Sequence, residues 1–175
     1  MAKTGNIYFV GMMGSGKTTI GRYLARRLKK RFIDCDQEIE ARTGVRIPVI
    51  FEIEGEQGFR RREAQVVKEL TAEKGIVLST GGGVVLDPEN RACLAANGLV
   101  VYLSVPPDEL YQRTRHDKNR PLLQVADPLG KIQELYALRD PLYREIADIV
   151  IDGAGKTAFG VARLLEREIR KRCGH

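Results

Sequence analysis

Residues 11–18 read GMMGSGKT and match the phosphate-binding pattern GxxxxGK[ST] over its full length. The pattern follows a short apolar run, Ile7–Val10, and opens an amphipathic run that begins at Lys17. Glycines in such a loop allow successive backbone N–H groups to turn toward one anion, and the helix N-terminus that follows adds positive potential. The stretch therefore predicts a strand, a phosphate-binding loop and a helix in direct succession.

The same loop predicts which side chains meet a nucleoside triphosphate. Lys17 can reach the β- and γ-phosphates, and the Thr18 hydroxyl can bind Mg²⁺, which bridges the same phosphates. The expected nucleotide-binding residues of the loop are Gly14, Ser15, Gly16, Lys17, Thr18 and Thr19. The pattern does not specify whether the phosphoryl group goes to water, to a protein or to a metabolite.

Short apolar runs alternate with longer amphipathic segments along the chain, which is typical of a parallel sheet flanked by helices. The predicted class is α/β with five parallel strands. Each run is rich in β-branched or aliphatic residues, as strands buried on both faces require. The predicted strands are Ile7–Val10, Phe32–Asp34, Ile76–Ser79, Leu99–Leu103 and Ile149–Ile151.

Helices are predicted between these strands. The segments Lys17–Lys30 and Glu63–Leu70 repeat apolar residues at helical spacing, which indicates core-facing stripes. Two further helices are expected to begin at Pro88 and at Pro128, each with the preceding aspartate as its N-cap. The second of them carries Leu135, Leu138 and Leu142.

The composition is that of one soluble globular domain over residues 1–175, with 43% hydrophobic and 30% charged residues. No run approaches the roughly 20 apolar residues that span a bilayer, and the first residues, Met1–Gly5, lead almost directly into a strand. We therefore expect a cytoplasmic protein with no membrane partner, acting as a monomer.

Cysteine and histidine usage excludes several kinds of site. Three cysteines and two histidines are too few and too scattered for a disulfide framework, a zinc site or a Cys/His nucleophile. The net charge of +6 suits nucleic acid, but it equally suits an enzyme with two anionic substrates. Because no aromatic residues are interleaved with the basic ones to stack on bases, we expect no nucleic-acid partner.

Two carboxylates, Asp34 and Asp36, lie at the end of the second strand, and ligands collect at that edge of an open parallel sheet. One carboxylate can hold Mg²⁺, and the other can take the proton of an attacking hydroxyl. The alternative is that one of them caps the following helix, and the two roles are compatible.

Three consecutive glycines, Gly81 to Gly83, follow the third strand. They permit close approach of the backbone to a flat ligand, although a merely flexible turn is the alternative. Because that strand ends in Ser79 and Thr80 rather than in the acidic residue of a Walker B pattern, Asp34 becomes the magnesium candidate.

Three arginines, Arg60, Arg120 and Arg139, sit in distinctive local sequences. A planar guanidinium binds carboxylate or phosphate through two parallel hydrogen bonds, although a single arginine is most often a surface residue. Arg120 falls in a polar, basic segment without periodicity, roughly residues 115–125, which predicts a mobile loop.

Taken together, these motifs closely resemble the shikimate kinases. The elements that carry the resemblance are GMMGSGKTT, the turn at Asp34 to Asp36, GFRRRE at residues 58–63, the glycine triplet, NRPLL at residues 119–123 and RDPLY at residues 139–143. The phosphate-binding loop occurs in many families, but the other elements in this order are specific, and the resemblance runs from about residue 6 to residue 151.

The resemblance implies a three-layer α/β/α P-loop kinase fold, like that of nucleoside monophosphate kinases, with strand order 2-3-1-4-5. It implies a core at about residues 6–151, a substrate-binding region at about 34–63 and a mobile lid at about 113–125. The implied reaction is transfer of the γ-phosphoryl group of ATP to the 3-hydroxyl of shikimate, with Mg²⁺, on the route to chorismate and the aromatic amino acids.

By motif, the resemblance also implies roles for individual residues. Asp36 would act as catalytic base beside Lys17 and Arg120, and Arg113 would lie against the adenine. The implied shikimate-binding residues are Asp36, Arg60, Glu63, Gly81, Gly82, Gly83 and Arg139, with Glu63 supporting Arg60 and the two arginines gripping the carboxylate. No role is assigned to Arg61 or Arg62, for which solvent exposure is the favoured interpretation.

One segment departs from the family pattern. Residues 152–157, where the adenine-contacting loop of the family falls, are glycine-rich and lack a proline found in some members. This departure predicts a looser nucleotide preference. Two alternatives stay open at this point: a related small-metabolite kinase such as a gluconate kinase, and a P-loop binding module without transfer activity.

Overall fold

Five parallel strands form one sheet in the computed structural model, which describes residues 5–174. With the strands numbered in chain order, their order in the sheet is 2-3-1-4-5, which confirms the expected topology. Each boundary lies within about one residue of its prediction. The expectations that concern residues 1–4 and His175 lie outside the described range. The strands are β1 (Ile7–Val10), β2 (Arg31–Asp34), β3 (Ile76–Ser79), β4 (Leu99–Ser104) and β5 (Ile149–Asp152).

Every connection between consecutive strands contains at least one helix, as crossovers between parallel strands usually do. The helices are α1 (Lys17–Leu28), α2 (Cys35–Thr43), α3 (Ile47–Thr71), α4 (Pro88–Asn97), α5 (Pro107–Thr114), α6 (Pro128–Ile146) and α7 (Ala158–Arg172), with 3₁₀ turns at Val84–Leu86 and Pro121–Leu123. Within residues 5–174, no helix combines the length and the apolar character needed to cross a membrane.

The sheet separates two hydrophobic cores, as the period-2 alternation of strand side chains requires. Ile7 and Phe9 of β1 pack with α1 and α7 on one face. Tyr8 and Val10 pack on the other face with residues of α2 through α6. The result is the predicted three-layer α/β/α arrangement.

The expectation that all five strands are buried on both faces is wrong for β2 and β5. The residues of β2 are exposed or half-buried, and Val150 of β5 is 44% exposed. These two strands lie at the edges of the sheet, where one side has no neighbouring strand and the helix layers end. Their aliphatic residues still satisfy the β-propensity of a strand, so composition alone did not distinguish edge from centre.

The predicted helix starts are confirmed by cap geometry. The Asp87 carboxylate accepts a hydrogen bond from the Glu89 N–H, and the Asp127 carboxylate accepts one from the Gly130 N–H. Within α6, Leu135 is buried, whereas Leu138 is 59% exposed and therefore does not belong to the core stripe.

Helix α3 is kinked at Gly55, whose backbone has φ 72° and ψ 179°. This conformation is accessible essentially to glycine alone, and it divides the helix into two arms that meet at an angle. Ile47 and Phe51 lie on the first arm, and Arg60 lies on the second. The kink thus brings two parts of one helix to the same end of the sheet.

Candidate active site

The phosphate-binding loop joins the central strand β1 to α1 at the carboxyl edge of the sheet, as predicted. Gly16 precedes α1 with φ 99°, a left-handed conformation that suits glycine. The first turn of α1 contains no acidic residue, so the positive end of the helix dipole is left uncompensated by the helix itself. The loop is therefore built to receive an anion.

Lys17 is buried, and its ammonium donates hydrogen bonds to the carbonyls of Gly11 at 2.7 Å and Met12 at 2.9 Å. Burial and, to a smaller extent, the nearby Arg120 guanidinium lower the pKa of Lys17 to about 7, against the opposing effect of Asp36. Because a triphosphate would supply compensating negative charge, this lysine fits the phosphate end of a nucleotide.

The Thr18 hydroxyl donates to the Asp34 carboxylate at 2.7 Å and lies 3.3 Å from the Ser79 hydroxyl. Asp34 also accepts from the Gln37 N–H, so the alternative role of capping α2 is confirmed and coexists with a place in the site. These are hard oxygen donors of the kind that Mg²⁺ prefers, and their arrangement fits the ion. Among residues 5–174, no cluster of three or more His, Cys, Asp or Glu side chains is arranged to hold a metal ion.

Asp36 lies in the first turn of α2 and points into the same space. Its Oδ1 atom is buried and has no hydrogen-bond partner among the described residues. Desolvation and the neighbouring Asp34 carboxylate raise its pKa above the ordinary value. A carboxylate with a raised pKa and a free oxygen is suited to accept a proton from a bound hydroxyl.

Glu63 lines the cleft beside Arg60. The side chain is fully buried and accepts a hydrogen bond from Arg60 Nη1 at 2.9 Å, as the family pattern implies. Burial raises its pKa to about 7 although Arg60 acts in the opposite direction. Its Oε2 atom, together with Arg60 Nε and the Nε and Nη1 atoms of Arg139, is buried without a hydrogen-bond partner in the described part of the chain. Such orphaned groups mark a polar pocket that is shaped for a polar ligand.

The glycine triplet leaves room for the protein's own side chains. A Cβ atom at Gly81 would lie 2.7 Å from Glu63 Oε2, one at Gly82 would lie 3.2 Å from Arg139 Nη1, and one at Gly83 would collide with the Arg60 guanidinium. The triplet therefore lets the two arginines and Glu63 lie close to the backbone.

The predicted lid residues also reach this region. Arg120 Nε donates to Asp117 Oδ2 at 3.0 Å, and its charge affects both Lys17 and Asp36. Arg113, at the end of α5, donates to the Gly14 carbonyl at 3.1 Å and to Glu109 at 2.7 Å, which places it beside the phosphate-binding loop.

A single cleft of about 520 Å³ unites these groups. Ser15 is the one predicted residue outside its lining, because its side chain is buried and its N–H bonds to the Met12 carbonyl. The predicted residues that line it are Gly14, Gly16, Lys17, Thr18, Thr19, Asp34, Asp36, Arg60, Glu63, Gly81, Gly82, Gly83, Arg113, Arg120 and Arg139.

Several cleft residues were missed by the sequence analysis. Ile47, Phe51 and Phe59 form an apolar wall, with the two phenylalanine rings 5.0 Å apart. Ile47 and Phe51 are spaced four apart, which is the pattern of an ordinary core stripe, so no sequence signal distinguished them. The polar lining residues Gln37 and Asp117 carried no signal either.

Comparisons with known proteins agree with this geometry. A family model described as shikimate kinase matches residues 13–170. A shikimate kinase of Aromatoleum aromaticum is 61% identical over 173 residues, which cover 97% of this chain and 99% of that protein.

Solved structures extend the comparison to three dimensions. A shikimate kinase from Acinetobacter baumannii in complex with shikimate superposes with a TM-score of 0.94 at 49% identity, covering 97% of this chain and 95% of that one. A gluconokinase from Sinorhizobium meliloti covers 98% of this chain and 94% of its own with a TM-score of 0.64 at 16% identity, a likeness that shows the fold alone.

Proposed function

The chain belongs to the shikimate kinase family, and on that premise we propose that it transfers the γ-phosphoryl group of ATP to the 3-hydroxyl of shikimate. The products are shikimate 3-phosphate and ADP, and the reaction serves the synthesis of chorismate and aromatic amino acids. The observation that carries the proposal is the meeting, in one cleft, of a phosphate-binding loop with the half-buried Asp36 carboxylate, the half-buried Arg60 and the buried Arg139.

ATP occupies the loop end of the cleft. The N-terminus of α1 and Lys17 hold the phosphates, Arg120 contacts them from the lid segment, and Arg113 lies against the adenine. Thr18 and Asp34 would hold Mg²⁺, which when bound neutralises charge on the phosphates.

Shikimate occupies the opposite end. Arg60 and Arg139 bind its carboxylate, since both guanidinium groups present buried N–H donors that the described residues leave unpaired. Asp36 lies at the hydroxyls, and the glycine triplet allows the ring to approach the backbone. The apolar wall of Ile47, Phe51 and Phe59 covers the ring.

The chemical step is an in-line displacement. The 3-hydroxyl oxygen bonds to the γ-phosphorus, the bond from that phosphorus to the β,γ-bridging oxygen breaks, and ADP leaves with the electron pair. The hydroxyl proton passes to the Asp36 carboxylate, whose raised pKa suits it as acceptor. Lys17 and Arg120 stabilise the charge that develops on the transferred group.

A coupled ADP-release assay tests the proposal with ATP and Mg²⁺ and three acceptor conditions: shikimate, gluconate and none. Release is expected with shikimate only. Equal release with gluconate would favour the related metabolite kinase, and binding of ATP without release under any condition would favour a binding module.

We further propose a loose nucleotide preference. The loop at residues 153–156 contains no proline and is held by hydrogen bonds from its backbone, since the Gly153 N–H donates to the Ser104 carbonyl and the Gly155 N–H donates to the Glu109 carboxylate. Such a loop reads few features of the base. Comparable kcat/KM values with ATP and GTP would support this proposal, and a strong preference for ATP would contradict it.

We also propose that the enzyme is cytoplasmic, has no nucleic-acid partner and acts as a monomer. One chain supplies both ends of the cleft, which supports the monomer. Light scattering on the eluting protein should give the mass of one chain. Tight, salt-dependent binding to an oligonucleotide would argue against it.

A further inference from the structure

Tyr143 is a buried tyrosine next to the shikimate end of the cleft, and the reaction scheme above does not use it. It lies on α6, one helical turn after Arg139, and its side chain is fully buried. Its hydroxyl donates a short hydrogen bond to the Gly82 carbonyl. The tyrosine therefore connects α6 directly to the middle of the glycine triplet.

The same hydroxyl interacts with Arg139. The Arg139 side chain is 1% exposed, and its Nε and Nη1 atoms have no hydrogen-bond partner among residues 5–174. Tyr143 is the neighbour that most favours the charged guanidinium against the effect of burial, and burial raises the pKa of Tyr143, so the hydroxyl stays protonated and able to donate. A neutral hydroxyl, unlike a carboxylate, does not compete with an anionic ligand for the charge of Arg139.

The peptide between Gly82 and Gly83 lies where both arginines meet the backbone. A Cβ atom at Gly82 would lie 3.2 Å from Arg139 Nη1, and one at Gly83 would collide with Arg60. Because the Tyr143 hydroxyl bonds the carbonyl of this peptide, it sets the orientation of the backbone on which the two guanidinium groups rest.

The aromatic ring holds the hydroxyl in place. Tyr143 packs against Tyr102 of β4 with ring centroids 4.9 Å apart. Tyr102 donates its own hydroxyl to Asp140 at 2.6 Å. Both tyrosines are therefore fully buried and in contact with each other, but only Tyr143 donates to a residue that lines the cleft.

We propose that Tyr143 is a positioning residue for shikimate, whose hydroxyl aligns Gly82 and Arg139 so that the carboxylate of the substrate meets a preformed site. This inference rests on the proposed function. It concerns substrate affinity and not the chemical step, because Tyr143 contacts groups that bind the unreactive end of the substrate.

The test compares Tyr143→Phe with its matched control, Tyr102→Phe. Each variant loses one buried hydroxyl and keeps its aromatic ring in contact with the neighbouring ring. Tyr143→Phe should raise KM for shikimate about tenfold, with kcat and KM for ATP changed less than about twofold. Tyr102→Phe should leave all three constants within about twofold of the wild-type values, and both variants should lose thermal stability to a similar extent. Calorimetric titration of shikimate without nucleotide should reproduce the loss of affinity.

Three results would overturn the inference while the proposed function stands. One is a KM for shikimate that is the same in the two variants. Another is an equal rise of both Michaelis constants in Tyr143→Phe, which would indicate general loosening of the cleft. The third is failure of Tyr143→Phe alone to fold, which would make the hydroxyl a structural group. Absence of shikimate-dependent turnover by the wild-type protein would remove the proposed function and this inference together.

Discussion

At the scale of single residues, the cleft contains titratable groups whose charged forms are disfavoured by burial. Asp36 and Glu63 each have one buried carboxylate oxygen without a partner among the described residues, and Lys17 is a buried cation. A buried ionisable group without full compensation destabilises the fold, and its pKa shifts in the direction that favours the neutral form. These residues are arranged to interact with ligands, although their burial lowers the stability of the ligand-free protein.

Binding of a nucleotide should therefore take up a proton. The Lys17 pKa is about 7 in the free protein, chiefly because the ammonium is buried. A triphosphate beside it would raise that pKa toward the ordinary value, so at pH 8 binding of a non-hydrolysable ATP analogue should take up close to about one proton. The check is calorimetry in buffers of different ionisation enthalpy. Lys17→Met should show no uptake, and a wild-type binding enthalpy independent of buffer would exclude the shifted lysine.

Asp36 and Asp34 should respond differently to loss of charge. If Asp36 is the base, Asp36→Asn should lower kcat by about a hundredfold or more, while the affinity for ATP changes little. Asp34→Asn keeps an N-cap side chain for α2 and should mainly raise the Mg²⁺ concentration needed for half-maximal activity. Steady-state kinetics with calorimetric ATP binding separates the two. Equal losses of turnover and ATP affinity in Asp36→Asn would assign it a scaffold role instead.

At the scale of elements, the kink in α3 is the feature that shapes the acceptor end of the cleft. Arg62 joins the two arms through a bidentate ion pair with Glu54, with N–O distances between 2.6 and 3.2 Å. Arg62 is exposed, as expected, but it also holds the arm that carries Phe51. The pair is largely exposed, so the kink itself depends mainly on the backbone of Gly55.

Alanine at Gly55 should be more damaging than alanine at Gly44. Both glycines have open space where a Cβ would lie, so each substitution reports backbone strain without a steric clash. Gly44 has φ 73° and ψ 7°, the left-handed region, whereas Gly55 with ψ 179° lies where other residues are essentially absent. We expect losses in free energy of unfolding of about 1 kcal/mol at Gly44 and about 2–3 kcal/mol at Gly55. Urea unfolding measures both, and Gly55→Ala should also raise KM for shikimate, while equal losses would show that α3 can straighten at little expense.

At the scale of the whole molecule, the buried groups of the cleft shape how stability depends on pH. The Glu63 pKa rises from 4.5 to about 7 on folding, and that of Asp36 rises as well, both chiefly through burial. Between pH 4.5 and about 7, Glu63 has lost its proton in the unfolded chain but keeps it in the folded chain. The free energy of unfolding therefore falls as the pH rises to about 7. For Lys17, whose pKa falls from 10.5 to about 7, the unfolded chain keeps the proton longer, so stability recovers above pH 7.

The ligand-free protein should therefore show a stability minimum near pH 7. Urea unfolding at pH 5, 7 and 8.5 should reveal it, with differences on the order of 3 kcal/mol. Glu63→Gln should weaken the fall on the acidic side, and Lys17→Met should remove the recovery on the alkaline side. Measurements should stop below pH 9, where the raised pKa of the buried Cys35 thiol begins to act in the opposite direction. A steady rise in stability from pH 5 to 8.5 would contradict this account.

Local pattern was sufficient for much of this protein. The spacing of residues 11–18, the short apolar runs and the Asp-Pro steps predicted the phosphate-binding loop, the five strands and two capped helices, because each depends on residues close together in the chain. Resemblance to a family supplied the strand order and the roles of residues such as Glu63 and Arg113. Fifteen of the candidate site residues line one cleft, as expected for an edge of a parallel sheet.

Long-range packing decided the rest. Long-range contacts decide which strands are edges, which glycines make room for Arg60 and Arg139, and which of two neighbouring tyrosines donates to Gly82. Each depends on residues separated by 20 or more positions, and no local pattern encodes those contacts. The apolar wall of the cleft could not be predicted for the same reason. Ile47 and Phe51 have the spacing of a core stripe, and only the kink of α3 at Gly55 places them at the cleft.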